Sequence, residues 1–154
     1  MTDATHPAHE KPAHEGPAHE HDAPVTINED AAAAVVARAH FDDRGLLPAV
    51  VQQWDSREVL MLGYMDAEAL RRTLTTGRAT YWSRSRQEYW RKGDTSGNVQ
   101  LLRGAELDCD ADTLLLQVEQ IGPACHTGAG RCFDVDPFLP LTQPADPRPE
   151  EDAR

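Results

Sequence analysis

Three cysteines and three aspartates fall within residues 108–132, and they constrain the fold more than any other feature of the sequence. Cys109 sits inside the run Asp108-Cys109-Asp110-Ala111-Asp112, and Cys125 and Cys132 follow it. Thiolates suit zinc, whereas carboxylates suit magnesium or calcium. The alternation of both ligand types therefore predicts two different ions held side by side.

The number of thiols favours a catalytic zinc. Three thiolates leave a tetrahedral zinc one ligand short. A structural site closes all four positions with protein atoms, whereas a catalytic site keeps one for water and lowers the pKa of that water to about 7. We therefore expect the zinc to take part in chemistry.

Simpler interpretations exist for both ligand types. The cysteines could be ordinary buried thiols, and the acidic run could be a hairpin turn, because Asp often hydrogen-bonds its own backbone at turns. The last two cysteines argue for metal binding, since Gly122-Pro123-Ala124-Cys125-His126-Thr127-Gly128 and Arg131-Cys132-Phe133 contain many turn-forming residues and a histidine. This setting is typical of a metal-binding loop rather than of a core strand.

Composition divides the 154 residues into one domain and two tails. Residues 1–24 carry Pro-Ala-His-Glu three times and almost nothing that could form a core, so a disordered tail is predicted there. Residues 141–154 are rich in Pro, Asp and Glu and are predicted to be a second disordered tail. A single globular domain is expected over residues 25–140.

The charge distribution favours a small phosphorylated ligand. A net charge of -11 argues against nucleic acid as a partner, because phosphate backbones are bound by clustered Lys and Arg. A local basic patch, suited to a phosphorylated small molecule, nevertheless lies between Arg78 and Lys92. No apolar run approaches the roughly 20 residues of a membrane span, and no export signal is recognised, so a soluble, cytoplasmic protein is expected.

Hydrophobic periodicity predicts an α+β fold with a mainly antiparallel sheet and about two helices. Asn28 is a predicted N-cap for a helix reaching His40, and Asp66 is one for a second helix that Gly77 ends. The remaining predicted elements are a hairpin over 48–54 and 58–64, a strand over 79–83, and a hairpin over 98–109 and 113–121.

The second hairpin suggests how the two ligand types separate. If extended geometry persists from Asp108 to Asp110, these carboxylates point to one face and Cys109 to the other. Cys109 would then face a different part of the assembly. We hypothesise that it meets Cys125 and Cys132 at a subunit interface.

Four segments between Leu47 and Phe133 together resemble the phosphoribosyl-AMP cyclohydrolase family of histidine biosynthesis. They are VLMLGYMDAEAL, YWSRSRQEYWRKGDTSGNVQ, DCDAD and GPACHTGAGRCF. They cover over half of the chain, and their combination in this order is highly specific. Asp94 is a small departure, since Glu is expected at that place.

The resemblance implies a homodimer with active sites between its subunits. It implies one zinc per subunit on Cys109, Cys125 and Cys132, the first from one subunit and the other two from its mate. It also implies one magnesium per subunit on Asp108, Asp110 and Asp112. The implied reaction opens the adenine ring of N1-(5-phosphoribosyl)-AMP by hydrolysis of its N1–C6 bond, giving the formimino-aminoimidazole carboxamide ribonucleotide ProFAR. Residues 25–140 would then form a cyclohydrolase domain, and the chain would be the single-function form.

Side chains near the predicted metals suit the other steps of this chemistry. Imidazole side chains commonly transfer protons near neutral pH, so His126 is the candidate for proton transfer, with a role as zinc ligand as its alternative. Arg forks and backbone amides of Gly and Ser bind phosphate oxygens, and an indole can stack on a purine. The predicted substrate-binding residues are Trp82, Ser83, Arg84, Ser85, Arg86, Arg91, Lys92, Gly93, Thr95, Ser96 and Gly97.

Two other functions are compatible with parts of the sequence. Asp108, Asp110, Asp112 and Glu119 match positions 1, 3, 5 and 12 of a calcium-binding EF-hand loop, but Thr113 replaces the required glycine. A non-catalytic, zinc-stabilised interaction domain is the second alternative. A chelator distinguishes it, because metal removal unfolds a structural site but only silences a catalytic one.

Overall fold

A computed structural model describes residues 22–139, which form an α+β fold with two α-helices and a mainly antiparallel sheet. This confirms the predicted fold class. No helix within the described residues is long and apolar enough to cross a membrane. The elements are α1 (Glu29–Arg38), β1 (Leu47–Gln53), β2 (Val59–Met65), α2 (Ala67–Thr76), β3 (Thr80–Ser83), β4 (Glu88–Arg91), β5 (Gln100–Leu107), β6 (Leu114–Gln120) and a short 3-10 helix, η1 (Cys132–Asp134).

Both helices begin and end where the sequence predicts, to within two residues. The Asn28 side chain accepts a hydrogen bond from the Ala31 amide at 2.9 Å, and Asp66 caps α2 in the same way. Gly77 ends α2 in the left-handed conformation, with φ 70°. The two helices pack together and bury Ala32, Ala69 and Leu70, among others, against the core.

The four-stranded sheet has the order β2-β1-β6-β5 and is built from the two predicted hairpins. Strands within each hairpin are antiparallel, whereas β1 and β6 pair in parallel at the centre. Alternate residues of β1 and β6, such as Val51 and Leu116, are fully buried on one face. The intervening residues of these strands lie on the opposite face.

The basic segment forms a separate two-stranded hairpin that the sequence analysis only half identified. The expected strand at 79–83 is present as β3, but its antiparallel partner β4 was not predicted. The turn between them places Gln87 at φ 54°, and its amide donates to the Ser83 carbonyl at 2.8 Å. Because β4 reads Glu-Tyr-Trp-Arg between polar residues, it lacks the apolar run by which longer strands are recognised.

The acidic segment is a turn between two strands, as predicted, and extended geometry does not persist from Asp108 to Asp110, so the separation of ligand types onto two strand faces does not apply. Strand β5 ends at Leu107, and the chain then turns with Ala111 at φ 60°. Asp108 stabilises this turn, because its side chain accepts hydrogen bonds from the amides of Asp112 and Thr113. Since antiparallel strands flank this turn, it is not the helix–loop–helix of an EF-hand.

The predicted tails lie outside the described residues, except for residues 22–24. Arg103 donates hydrogen bonds to the carbonyls of Asp22 and Ala23 at 2.8 Å each. The Val25 amide donates to Leu102 at 2.9 Å. These contacts hold the start of the described chain against the edge strand β5.

Candidate active site

A cavity of about 570 Å³ lies between the basic hairpin and the loop that carries Cys125. Residues 86, 88–96 and 98 form one wall, and Pro123, Cys125, His126 and Gly128 form the other. The two walls are about thirty residues apart in sequence, so the cavity exists only because the chain returns through β5 and β6.

The second wall is a tight loop that presents Cys125 from its base. The Ala124 amide donates to Gly130 and the Cys125 amide to Ala129, each at 3.2 Å, and the Gly128 amide donates to the Cys125 carbonyl at 3.1 Å. Gly128 has φ 91°, a conformation that favours glycine. These bonds make the loop rigid where the thiol must be held.

The thiols of Cys125 and Cys132 lie in contact with each other. Thr127 Oγ1 donates to Cys125 Sγ at 3.1 Å, and this hydrogen bond holds the pKa of the Cys125 thiol below its ordinary value. Burial raises the pKa of Cys132, as does the charge of neighbouring Cys125. A pair of adjacent thiols, one of them biased towards thiolate, fits the needs of a soft metal ion.

Cys109 does not join this pair within a single chain. It is exposed, at the acidic turn. Among residues 22–139, only the three aspartates form a group of three or more potential His, Cys, Asp or Glu ligands whose ligand atoms lie within 4.8 Å of one another. A single chain therefore brings together two of the three predicted zinc ligands.

The acidic turn gathers the carboxylates of Asp108, Asp110 and Asp112 at the surface. The charges of Asp108 and Asp112 raise the pKa of Asp110, because like charges at close range disfavour ionisation. Such a cluster fits a hard divalent cation, which would remove this repulsion. The structure also adds a residue that the sequence analysis missed, since the His40 ring contacts the backbone of this turn.

The predicted substrate-binding residues divide into two groups. Those at the cavity are Arg86, Arg91, Lys92, Gly93, Thr95 and Ser96, whereas Trp82, Ser83, Arg84, Ser85 and Gly97 are not among the described residues that line it. Trp82 packs edge-on against Tyr89 with ring centroids 4.9 Å apart, and the Arg84 guanidinium lies 3.9 Å from the centroid of the Tyr64 ring. The indole that lines the cavity is that of Trp90.

His126 is exposed and lines the cavity beside Cys125. No group of three metal ligands that includes His126 is present within the described part of one chain. Its position in the cavity wall, next to a thiol, is compatible with proton transfer to a bound ligand.

Known proteins match the part of the chain that lines this cavity. A family model described as phosphoribosyl-AMP cyclohydrolase matches residues 61–134. A protein of Clavibacter michiganensis subsp. michiganensis with that name is 71% identical over 108 residues, which is 70% of this chain and 82% of the relative. A namesake from Leifsonia xyli subsp. xyli is 65% identical over 106 residues, covering 69% of this chain and 85% of the relative. Another, from Nocardioides sp., is 62% identical over 121 residues, covering 79% and 94%.

Proposed function

The chain belongs to the phosphoribosyl-AMP cyclohydrolase family of hydrolases, and we propose that it opens the adenine ring of N1-(5-phosphoribosyl)-AMP in histidine biosynthesis. Water would add to C6, the C6–N1 bond would break, and ProFAR would be the product. The observation that carries this proposal is the cavity shared by the basic hairpin and the Cys125 loop. Arg86 and Arg91 line it on one side and Cys125 on the other, which supports binding of phosphate by the arginines and of zinc by the thiol.

The wall formed by residues 86, 88–96 and 98, here called the basic wall, would bind and orient the substrate. Arg86 and Arg91 are exposed and line the cavity. The Nε of Arg86 pairs with Glu88 at 3.2 Å and that of Arg91 with Asp94 at 2.8 Å, so their remaining N–H groups would bind phosphate oxygens. Gly93, with φ 90°, and Thr95 and Ser96 add backbone amides and hydroxyls in the same turn. Trp90 supplies an aromatic surface against which a purine can stack. The predicted residues outside the cavity, Trp82, Ser83, Arg84, Ser85 and Gly97, would contribute only through other parts of the surface or in the assembled protein.

The thiol pair would hold zinc together with a third thiolate. When bound there, zinc supplies Lewis-acid activation of the attacking water. Thr127 would keep Cys125 in the thiolate form by donating to its sulfur. His126 would deliver a proton to N1 as the bond to C6 breaks, because it lies next to Cys125 in the cavity wall.

The third thiolate, Cys109, would come from a second copy of the chain. Its exposure and its separation from Cys125 and Cys132 within one chain support a shared site. An apolar row on the outer face of the sheet supports the dimer itself. Val50 pairs with Leu62 on one side and Leu115 on the other, and Leu62 is 46% exposed. A further cavity of about 250 Å³ connects this row to the acidic turn, since Val50, Leu115 and Asp108 all line it.

The acidic turn would hold magnesium through Asp108, Asp110 and Asp112. The support is the convergence of three carboxylate oxygens within 4.8 Å and the mutual repulsion of their charges. Bound magnesium would neutralise the turn that carries Cys109 and fix its shape. Bound magnesium is therefore expected to influence the zinc site, because Cys109 would be the third thiolate of that site.

The test is hydrolysis of phosphoribosyl-AMP by the purified protein, followed by the absorbance change of ring opening. We expect turnover that is lost when zinc is chelated and restored when zinc is added back. Cys125→Ala should abolish turnover, whereas Ser56→Ala, in the β1–β2 turn outside the cavity, should retain it. A protein that keeps its rate without zinc and without the Cys125 thiol would contradict the proposal. Unfolding on chelation would instead favour a structural zinc.

A further inference from the structure

Lys92 differs from the other cationic residues of the basic wall because it is buried. Only 7% of its surface is exposed, whereas Arg86 and Arg91 are classed as exposed. Its backbone amide donates to the Ala79 carbonyl at 2.9 Å, which fixes the chain where β4 ends. The side chain is therefore directed inward from a rigid point.

The amine of Lys92 is held by the loop that carries the thiols. Nζ donates a hydrogen bond of 2.7 Å to the carbonyl of Ala124, the residue before Cys125. Ala124 is itself only 3% exposed. This contact links the basic hairpin directly to the residue that precedes Cys125 in the loop.

Lys92 carries its positive charge inside the protein. No ion pair joins Lys92 to a carboxylate within the described residues, yet a buried ammonium needs compensation. Cys125 and Cys132 would supply it as metal-bound thiolates, since Cys125 directly follows the residue whose carbonyl accepts the hydrogen bond from Nζ. The face of Trp90 adds a weaker contact, with Nζ 5.8 Å from the ring centroid.

We propose that Lys92 is a positioning residue for the metal-binding thiol pair, and not a ligand of a substrate phosphate. Its ammonium holds the Ala124 carbonyl, and so the direction of Cys125, and it would offset the negative charge of the two thiols once a metal ion holds them as thiolates. The inference rests on the proposed zinc site. It reassigns a side chain that composition alone groups with the phosphate donors.

Substitutions at two neighbouring residues distinguish a role in positioning the thiol pair from a role in binding a substrate phosphate. Lys92→Met removes the charge and the donor at nearly constant length, and Arg91→Met is its matched control on the adjacent, exposed side chain. The apparent zinc affinity of each full-length protein is measured by competition with a chromophoric chelator, and KM and kcat are measured at saturating zinc. Lys92→Arg is the conservative variant.

We expect Lys92→Met to weaken zinc binding by about 10- to 100-fold, the usual effect of removing a group that supports metal ligands, with KM within about twofold of the wild type. Arg91→Met should raise KM and leave zinc affinity unchanged. Lys92→Arg should recover part of the zinc affinity. If Lys92→Met does not fold, Lys92→Gln, which keeps a donor but lacks the charge, is used in its place.

Unchanged zinc affinity with a raised KM in Lys92→Met would overturn the inference and make Lys92 a phosphate ligand, while the proposed zinc site would stand. A wild-type protein that binds no zinc would overturn the proposed function, and this inference with it. The two failures are therefore distinguishable.

Discussion

The His40 ring nitrogen Nδ1 lies 2.6 Å from the carbonyl oxygen of Asp110, 70 residues further along the chain. A carbonyl only accepts, so Nδ1 carries the proton of this hydrogen bond. The His40 backbone amide adds a second contact, donating to the Ala111 carbonyl at 2.7 Å. The segment that follows α1 thus holds the acidic turn at two points.

His40→Ala is therefore expected to weaken magnesium binding at the acidic turn. Loss of the ring donor frees the Asp110 carbonyl, and removal of such a supporting group typically lowers metal affinity by about 10- to 100-fold. His40→Asn, which can place a side-chain amide near the same carbonyl, should restore part of the affinity. Isothermal titration with magnesium measures both, with the exposed Arg38→Ala at the end of α1 as control. Equal affinity in His40→Ala and the wild type would show that the turn needs no such support.

A shared zinc site predicts complementation between two inactive variants. In a homodimer of either Cys109→Ala or Cys125→Ala, both sites lack one thiol. A heterodimer of the two combines both defects in one site and leaves the other intact. After unfolding and refolding of an equal mixture, half of the dimers are mixed, so about one quarter of wild-type activity should return.

The activity of the mixture is measured against each variant refolded alone. A mixture as inactive as its components, although heterodimers form, would place all three thiols of each site in a single chain. A mixture of Cys125→Ala with Cys132→Ala is the matched control. Cys125 and Cys132 of a site come from the same chain. Each site of that heterodimer therefore lacks one thiol, and no activity should return.

Glu68 contributes stability that acid removes. Hydrogen bonds from Arg71 and Arg72 lower the pKa of Glu68 from 4.5 to about 2. A carboxyl group with a depressed pKa in the folded state stabilises that state above pH 4.5 and loses the contribution as the pH falls towards 2. Because Glu68 and both arginines are more than a third exposed, we expect less than about 1 kcal/mol.

The free energy of unfolding in urea, measured from pH 6 to pH 2 at one protein concentration, checks this. Glu68→Gln should lower stability at pH 6 and approach the wild-type curve near pH 2. Asp43→Asn, at an exposed carboxylate in the turn after α1, is the control and should follow the wild type throughout. Parallel curves for Glu68→Gln and the wild type would show that the arginine pairs add nothing.

Tyr81→Phe should destabilise the core by about 1–3 kcal/mol, the usual cost of a buried polar group without its partner. The Tyr81 hydroxyl donates to Gln100 Oε1 at 2.5 Å, and both side chains are fully buried. The ring stays in Tyr81→Phe, so its close packing on Gly63 is retained. Urea unfolding should show a lower midpoint with an unchanged slope. A neutral Tyr81→Phe would show that Gln100 finds another donor.

Local patterns in the sequence determined the helices, the two hairpins of the main sheet and the types of ligand present. Asn28, Asp66 and Gly77 end or begin helices through contacts with residues at most four positions away, so a short window of sequence contains the cause. The acidic turn was also visible as a run of aspartates, although its exact geometry was not. Strand β4 was missed because its stability comes from pairing with β3 and from packing of Tyr89 and Trp90, not from its own composition.

Only the tertiary structure decided which of these residues meet. It joined Cys125 to Cys132, separated Cys109 from both within one chain, placed His40 on the acidic turn and buried Lys92 under Ala124. Apart from the two cysteines of one loop, these relationships join distant segments or depend on burial, and residue type and spacing encode neither of those. The sequence alone specified which chemical groups the protein carries, whereas packing of the sheet, the hairpin and the loop decided which of them face one cavity.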